Sequence, residues 1–250
     1  GYGYESLRFL PLMIRSLTQM KRLFIVVVFL CYSLQSRAQF HEFGAFLGAG
    51  NYIGDVGASY FVYPENPAFG LVYKWNRTTR YSLRANAMFM KIKKSDYSPA
   101  DLARFNRRYR FENQIMEFSV GTEINYVDFN LHGSEKMLTP YLFLGAGIIR
   151  YNLFYHDPNT LETIDYGKGG DIVLPAIVGV KANVSPFVVL GFELGVRFTF
   201  TDNLDGSDPE TEDNVSNNLM FGNLNNNDWY VFTGLTISFT FGDLPCYCKE

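Results

Sequence analysis

The chain has 250 residues, of which 47% are hydrophobic and 17% aromatic, and its 23 Phe and 17 Tyr against 2 Trp weight it toward strand formers. A formal net charge of −3 gives no basic face for a phosphate backbone, so nucleic-acid partners are set aside. Three cysteines are too few for a disulfide framework.

The first informative segment in chain order is MKRLFIVVVFLCYSLQSRAQ, residues 20–39. Lys21 and Arg22 precede an apolar run from Leu23 to Leu34 that is short for a membrane-spanning helix, and Ser36 and Ala38 are small residues where a signal peptidase reads. Residues 20–38 are therefore expected to be a cleaved signal peptide, and residues 1–19 an over-extended gene start. Residues 39–250 are expected to form one domain. An N-terminal membrane anchor is the alternative for the apolar run. Cys31 lies within that run after Leu30, which suits a lipoprotein signal poorly.

Eight strands are predicted beyond it, over 43–51, 69–76, 81–89, 115–126, 140–151, 172–183, 187–201 and 229–241. In 69–76 the apolar set is Phe69, Leu71, Tyr73 and Trp75, opposite Lys74; in 81–89 it is Tyr81, Leu83, Ala85, Ala87 and Phe89, opposite Arg84 and Asn86. Met116, Phe118, Val120, Thr122, Ile124 and Tyr126 oppose Glu117, Ser119, Gly121 and Glu123, and the run 172–183 sets Ile172 to Ala182 against Lys181 and Asn183. The run 187–201 sets Val188, Leu190, Phe192, Leu194, Val196, Phe198 and Phe200 against Glu193 and Arg197, and Trp229 to Phe241 repeats the pattern against Tyr230 to Thr240. The segments 43–51 and 140–151 are glycine-rich, and the faces of the latter are left unassigned.

Several strands reach 12 or more residues, where a soluble sheet averages about 5–6 and a tilted membrane crossing needs about 9–11. Long connections (52–68, 90–114, 152–171, 202–228) alternate with shorter ones (77–80, 127–139, 184–186), which is the layout of an outer-membrane barrel with extended outer loops and brief periplasmic turns. The expected fold is all-β: a closed eight-stranded antiparallel transmembrane barrel. Its apolar stripe would face outer-membrane lipid. Lys74, Arg84, Lys181 and Arg197 would meet Glu117, Glu123 and Glu193 inside as a polar network filling a narrow lumen. A lipocalin-like soluble barrel is the rival fold, but it reverses the polarity.

Five stretches, EFGAFLGAGNYIGDVG, RRYRFENQIMEFSVGTEINY, TPYLFLGAGIIRYN, GVRFTFTDNLDG and NDWYVFTGLTISFTFGDLPC, are spread in order across residues 41–246. In series they resemble the PorG-like outer-membrane proteins of the type IX secretion system of Bacteroidetes; one departure is TDNLDGSD, which lacks an aromatic after TFTD. The resemblance implies a small outer-membrane barrel that assists protein export and gliding in association with the periplasmic PorK and PorN ring. The surface expected to meet that ring is the periplasmic rim: the turn 127–139 with His132, Glu135 and Lys136, the mature N-terminus, and a tail holding Asp243, Cys246 and Cys248. An ordinary solvated turn is the plain reading of the same residues. The rival function is a stand-alone barrel acting as surface receptor or narrow pore.

No chemistry is expected. His156 and Asp157 lack a positioned serine, His41 and His132 should lie at the opposite mouth, and Cys246 with Cys248 lack further ligands for a metal. No cofactor is expected. The acidic run TDNLDGSDPETED lacks the spacing of a calcium loop. Lys91, Lys93, Lys94, Arg104, Arg107, Arg108 and Arg110 stand in the connection 90–114, which is expected to pair with the acidic connection 202–228 over the outer mouth.

Overall fold

The computed structural model describes residues 40–54, 65–96, 110–131, 136–156, 163–207, 209, 220–221 and 227–242. Eight strands follow in order: β1 (Phe40–Ile53), β2 (Asn66–Asn76), β3 (Tyr81–Ser95), β4 (Arg110–Asn125), β5 (Leu138–His156), β6 (Thr163–Ser185), β7 (Val188–Thr199) and β8 (Trp229–Phe241). Each pairs antiparallel with the next, and β8 pairs with β1 from His41↔Phe241 to Ile53↔Trp229, closing the barrel. Both chain ends of the barrel, with the links 77–80, 126–137 and 186–187, lie at what we term the terminal end. The opposite mouth is the loop end.

Alternation along the strands sets the two coats of the wall, because side chains two apart share a face. Phe43, Leu47, Phe69, Leu71, Phe118, Phe192 and Leu235 are exposed on the outside, whereas Glu42, Lys74, Arg84, Glu117, Glu123, Lys181, Glu193 and Arg197 are buried within. Cross-strand partners stay on one face, so Glu42, Lys74 and Arg84 stand side by side through the pairs Glu42↔Lys74 and Lys74↔Arg84. Glycines let the wall close tightly at one seam. Gly48 and Gly234 oppose each other, and a Cβ on Gly48 would sit 2.7 Å from Gly234 Cα.

The strands differ from the sequence expectation chiefly in length. β3 and β4 extend through Lys91–Ser95 and Arg110–Gln114, and β5 and β6 reach 19 and 23 residues, so the connection expected over 152–171 shrinks to 157–162. In β6 the residues Thr163–Ile172 are exposed or half-exposed on both faces. With water on either side nothing selects an alternating pattern, and the period that marks a strand is missing there.

Candidate functional site

The barrel interior is stacked in three layers. At mid-height lies the ion network. Glu123, fully buried, receives Lys74 Nζ at 3.0 Å, Lys181 Nζ at 2.6 Å and an Arg84 guanidinium nitrogen at 3.0 Å. Arg84 also forks onto Glu193 with bonds of 2.8 and 2.9 Å, and the Tyr141 hydroxyl donates to the same carboxylate at 2.5 Å. Arg197 Nε donates to Glu117 at 3.3 Å, joined by the Tyr230 hydroxyl at 3.0 Å, and its guanidinium lies 4.4 Å from the Phe232 ring centroid. All seven residues expected in the polar network are thus inside, and the structure joins them into two adjoining sets.

Sequence reasoning missed the eighth member. Glu42 is fully buried and accepts from Asn76 Nδ2 at 2.8 Å and Ser238 Oγ at 2.9 Å, which brings the carboxylates of this mid-height layer to four against its four cations. The alternation Phe43, Ala45, Leu47, Ala49 carries the signal, since it turns Glu42 inward, but a strand beginning at residue 43 leaves Glu42 out. Tyr141 and Tyr230 were not recognised as partners of the carboxylates either.

Above the ions, toward the loop end, the lumen is apolar: Phe46, Tyr52, Met90, Ile92, Phe111, Ile115, Ile149, Phe154, Tyr230 and Phe232 pack around Leu204, itself fully buried. Sequence reading assigned only polar filling to the lumen, because Met88 and Met90 sit where both faces of β3 are apolar and Ile92 lies beyond the strand expected over 81–89. Leu204 reaches this position because the chain after β7 folds inward. Asn113 Nδ2 donates to the Leu204 carbonyl at 2.8 Å, and the Leu204 amide donates to Asp228 Oδ2 at 2.9 Å. Asp228 also accepts from the Tyr52 hydroxyl, while Asp205, whose backbone carbonyl meets His156 Nε2 at 3.3 Å, is buried as well. Burial, reinforced by the charge of Asp205, holds the Asp228 carboxyl well above the usual carboxylate range.

The expected ion pairing of the basic and acidic connections falls mostly on residues outside the described ones. Lys91 and Lys93 pair with Glu112 and Lys94 with Glu65; Arg104, Arg107 and Arg108 lie outside the described residues. Leu204 and Asp205 are both buried at this end. His156, expected in an outer loop, ends β5 with its ring against Phe154 and Phe221. Asp157 is outside the described residues.

Below the ions, Phe129 and Leu131 fold in from the link after β4 and pack with Val189 and Met137, placing the Phe129 ring 4.8 Å from Lys181 Nζ. This corrects the picture of the turn 127–139 as wholly solvated. Its first part is tied down: Phe129 N donates to Thr79 O at 3.0 Å, and Asp128 accepts from Arg80 and from Thr79 Oγ1 at 3.0 Å. The hydrogen bonds from Arg80 hold the Asp128 carboxyl below its ordinary value. Lys136 is exposed at this rim. His132, Glu135, Asp243, Cys246 and Cys248 lie outside the described residues, as do residues 1–39 with the expected signal peptide. His41 stacks on Tyr73 and Phe241 at the terminal end, and the described residues hold no cluster of three or more His, Cys, Asp or Glu placed for a metal ion.

Among solved structures, Neisserial surface protein A is similar at 12% identity and a TM-score of 0.44, over 81% of this chain and 97% of its own. A major outer membrane protein of Thermus thermophilus matches at 13% and 0.43, over 82% of this chain and 100% of its own. The N-terminal β-barrel domain of Pseudomonas aeruginosa OprF matches at 11% and 0.40, over 83% and 100%. A search of curated protein sequences found no match. The family comparison spans residues 21–250, nearly the whole chain, and by it the protein belongs to the DUF6089 family, a domain of unknown function.

Proposed function

We propose that this protein is a non-enzymatic outer-membrane barrel of the type IX secretion machinery, lying in the membrane with its terminal end toward the periplasm and associating there with PorK- and PorN-like ring proteins. The observation that carries the membrane reading is the polarity of the wall. Large apolar side chains stand exposed around a closed barrel, and the ions are shut inside, where the backbone is fully paired and no sheet edge meets lipid. The height fits as well. Trp229 and Phe241 are twelve residues apart on β8, about 41 Å at 3.4 Å per residue, which a tilt of about 45° reduces to about 29 Å, close to the hydrocarbon thickness of about 30 Å.

The secretion role rests on the sequence resemblance, and the ordered terminal rim supports it by offering a fixed surface. Arg80, Asp128 and Lys136 stand there with Tyr126 and Phe187 exposed between them. The export signal over residues 20–38 belongs to the same proposal. The packed lumen weighs against a pore, because ions and apolar plugs occupy the path from mouth to mouth. Co-purification of the ring proteins from detergent-solubilised envelopes tests the role: recovery with wild type and loss with Arg80→Glu/Lys136→Glu supports it. Equal recovery from both, or from neither, counts against it.

A further inference from the structure

The register of the ladders fixes the height of every outward side chain on the barrel. A row of cross-strand partners runs from Val180 on β6 through Phe192, Leu235 and Leu47, on through Phe89 and Arg150, and returns to β6 at Gly170, ten residues above its start (180 − 170). Ten residues are about 33 Å along a strand and eight strand spacings about 38 Å across, which sets a tilt of about 41° to the barrel axis. One residue along a strand then climbs about 2.5 Å toward the loop end, and one step along the row about 3.1 Å.

By this measure Trp229 on β8, Lys91 on β3 and Arg150 on β5 stand within about 2 Å of one level, roughly 21 Å above Val180. Trp229 packs edge-on against Phe198, ring centroids 4.9 Å apart, and aromatic side chains of this kind mark the boundary between hydrocarbon and headgroups. On the far side of the barrel that boundary is held by cations instead. Ile149 and Tyr151 are buried, so Arg150 between them points outward; Met90 and Ile92 do the same for Lys91. Lys93, Arg110 and Lys168 stand higher on the same arc, all exposed. Glu112 answers two of these charges, with Lys93 Nζ at 2.7 Å and Lys91 Nζ at 3.6 Å, but the pairs are nearly half exposed and therefore weak. Glu65 borders the arc and is taken by Lys94 at 2.8 Å. Beneath the cations the wall turns apolar at once: Ile148 lies below Arg150 with Phe118 and Ile172 as its cross-strand partners, and all three are more than half exposed.

We propose that the outer face of β3–β6 holds a phosphate-bearing lipid of the outer leaflet, its phosphate between Arg150 and Lys91 and its acyl chains along Phe118, Ile148 and Ile172. Lys91 faces Gln114 on β4, and Arg150 faces Met116 two residues further along β4, so the two cations are two strands and two residues apart. That is about 12 Å between Cα atoms, a gap that two long side chains close onto one phosphate. Guanidinium forks onto phosphate oxygens, and the ammonium adds a point charge. Exposed Gln114 lies between them with an amide to donate. A free anion would use the cations and leave the apolar strip below them idle; a lipid uses both, at the level where its headgroup lies. The inference rests on the membrane reading and orientation proposed above, and the secretion role is not used.

The test places the full barrel in nanodiscs of phosphatidylcholine with a minor fraction of lipid A, either phosphorylated or stripped by phosphatase, and counts the lipid A retained by native mass spectrometry. The phosphorylated form is expected to be retained about tenfold more than the stripped form. Lys91→Gln/Arg150→Gln is expected to abolish that preference and Arg150→Gln alone to reduce it; both side chains are outside the wall, so the variants keep the folded mobility in cold electrophoresis. Arg77→Gln, which removes a cation at the terminal end, is expected to keep the preference, and excess inorganic phosphate to leave the lipid bound. The inference is overturned by equal retention of the two forms, by a preference that survives both site variants, by an equal loss in Arg77→Gln, or by displacement with inorganic phosphate, which would show a site for free anions. A barrel that enters nanodiscs without preference overturns this inference alone; one that never enters them overturns the membrane reading.

Discussion

Replacing Glu123 by Gln removes the carboxylate that three cations share. Arg84 keeps its two bonds to Glu193, at 2.8 and 2.9 Å, but Lys74 and Lys181 have no other ion pair within 4.0 Å among the described residues. Beside them remain aromatic rings, with Tyr141 5.2 Å from Lys74 and Phe129 4.8 Å from Lys181, and the buried Glu42 carboxylate, which stands across the strand pair from Lys74 without an ion pair to either lysine within 4.0 Å. Leaving a buried charge without its partner costs about 3–5 kcal/mol. The glutamine carbonyl still accepts from one lysine, so Glu123→Gln is expected near the lower figure, roughly 150-fold in the unfolding equilibrium, and Glu123→Leu near the upper. Urea unfolding in phospholipid vesicles, followed by the fluorescence of Trp75 and Trp229, measures the loss. Adding Lys181→Met to Glu123→Gln removes one stranded cation and should recover about half of it, a coupling that a double-mutant cycle isolates. A loss below about 1 kcal/mol for Glu123→Gln, the scale of an exposed pair, would refute the reasoning.

Four other outcomes follow from the geometry. Phe192→Arg puts a charge on the outer face at mid-height and should cost about 2–4 kcal/mol, against about 0–1 for Phe241→Arg at the rim; equal small effects in vesicle unfolding would contradict the lipid-facing assignment. Gly48→Val drives side-chain carbon into Gly234 across the β1–β8 seam, and the folded species in cold detergent electrophoresis should be depleted, whereas Gly167→Val leaves it intact. Leu204→Ala empties the apolar plug and should cost about 2–5 kcal/mol locally, seen as faster hydrogen exchange in residues 201–207 with the strands unaffected. Asp228 has its folded value raised, so the stability it contributes is fully present below the ordinary value of 3.8 and is lost as pH rises through the folded one. After correction for intrinsic rates, residues 201–207 should exchange faster at pH 8 than at pH 5, and Asp228→Asn should remove the difference.

The strands that separate lipid-like surface from ions were the legible part of the molecule, because the membrane or the lumen selects opposite residue types at every second position. Phe192 against Glu193, or Phe118 against Glu117, is enough to fix a face. Legibility fails where that selection stops. Met88 and Met90 face an apolar lumen while Ala87 and Phe89 face outward, so β3 loses its alternation there; Gly167 to Gly170 face water on both sides, so the top of β6 reads as a loop. The mouths were illegible for another reason. Leu204 within an acidic run, and Phe129 within a polar turn, take their places through hydrogen bonds with residues remote in sequence: Leu204 accepts from Asn113 and donates to Asp228, and Phe129 donates to Thr79. The secretion role is carried by the sequence resemblance, which no strand period could supply.

The central claim is that the outer coat of the wall lies in hydrocarbon. A single tryptophan at position 192, with Trp75 and Trp229 changed to Phe, reports on it directly when the barrel is placed in vesicles of lipids brominated at successive acyl depths. The account predicts the strongest quenching from bromines near the bilayer centre and little from aqueous iodide. Quenching by iodide with none from any brominated lipid would contradict it.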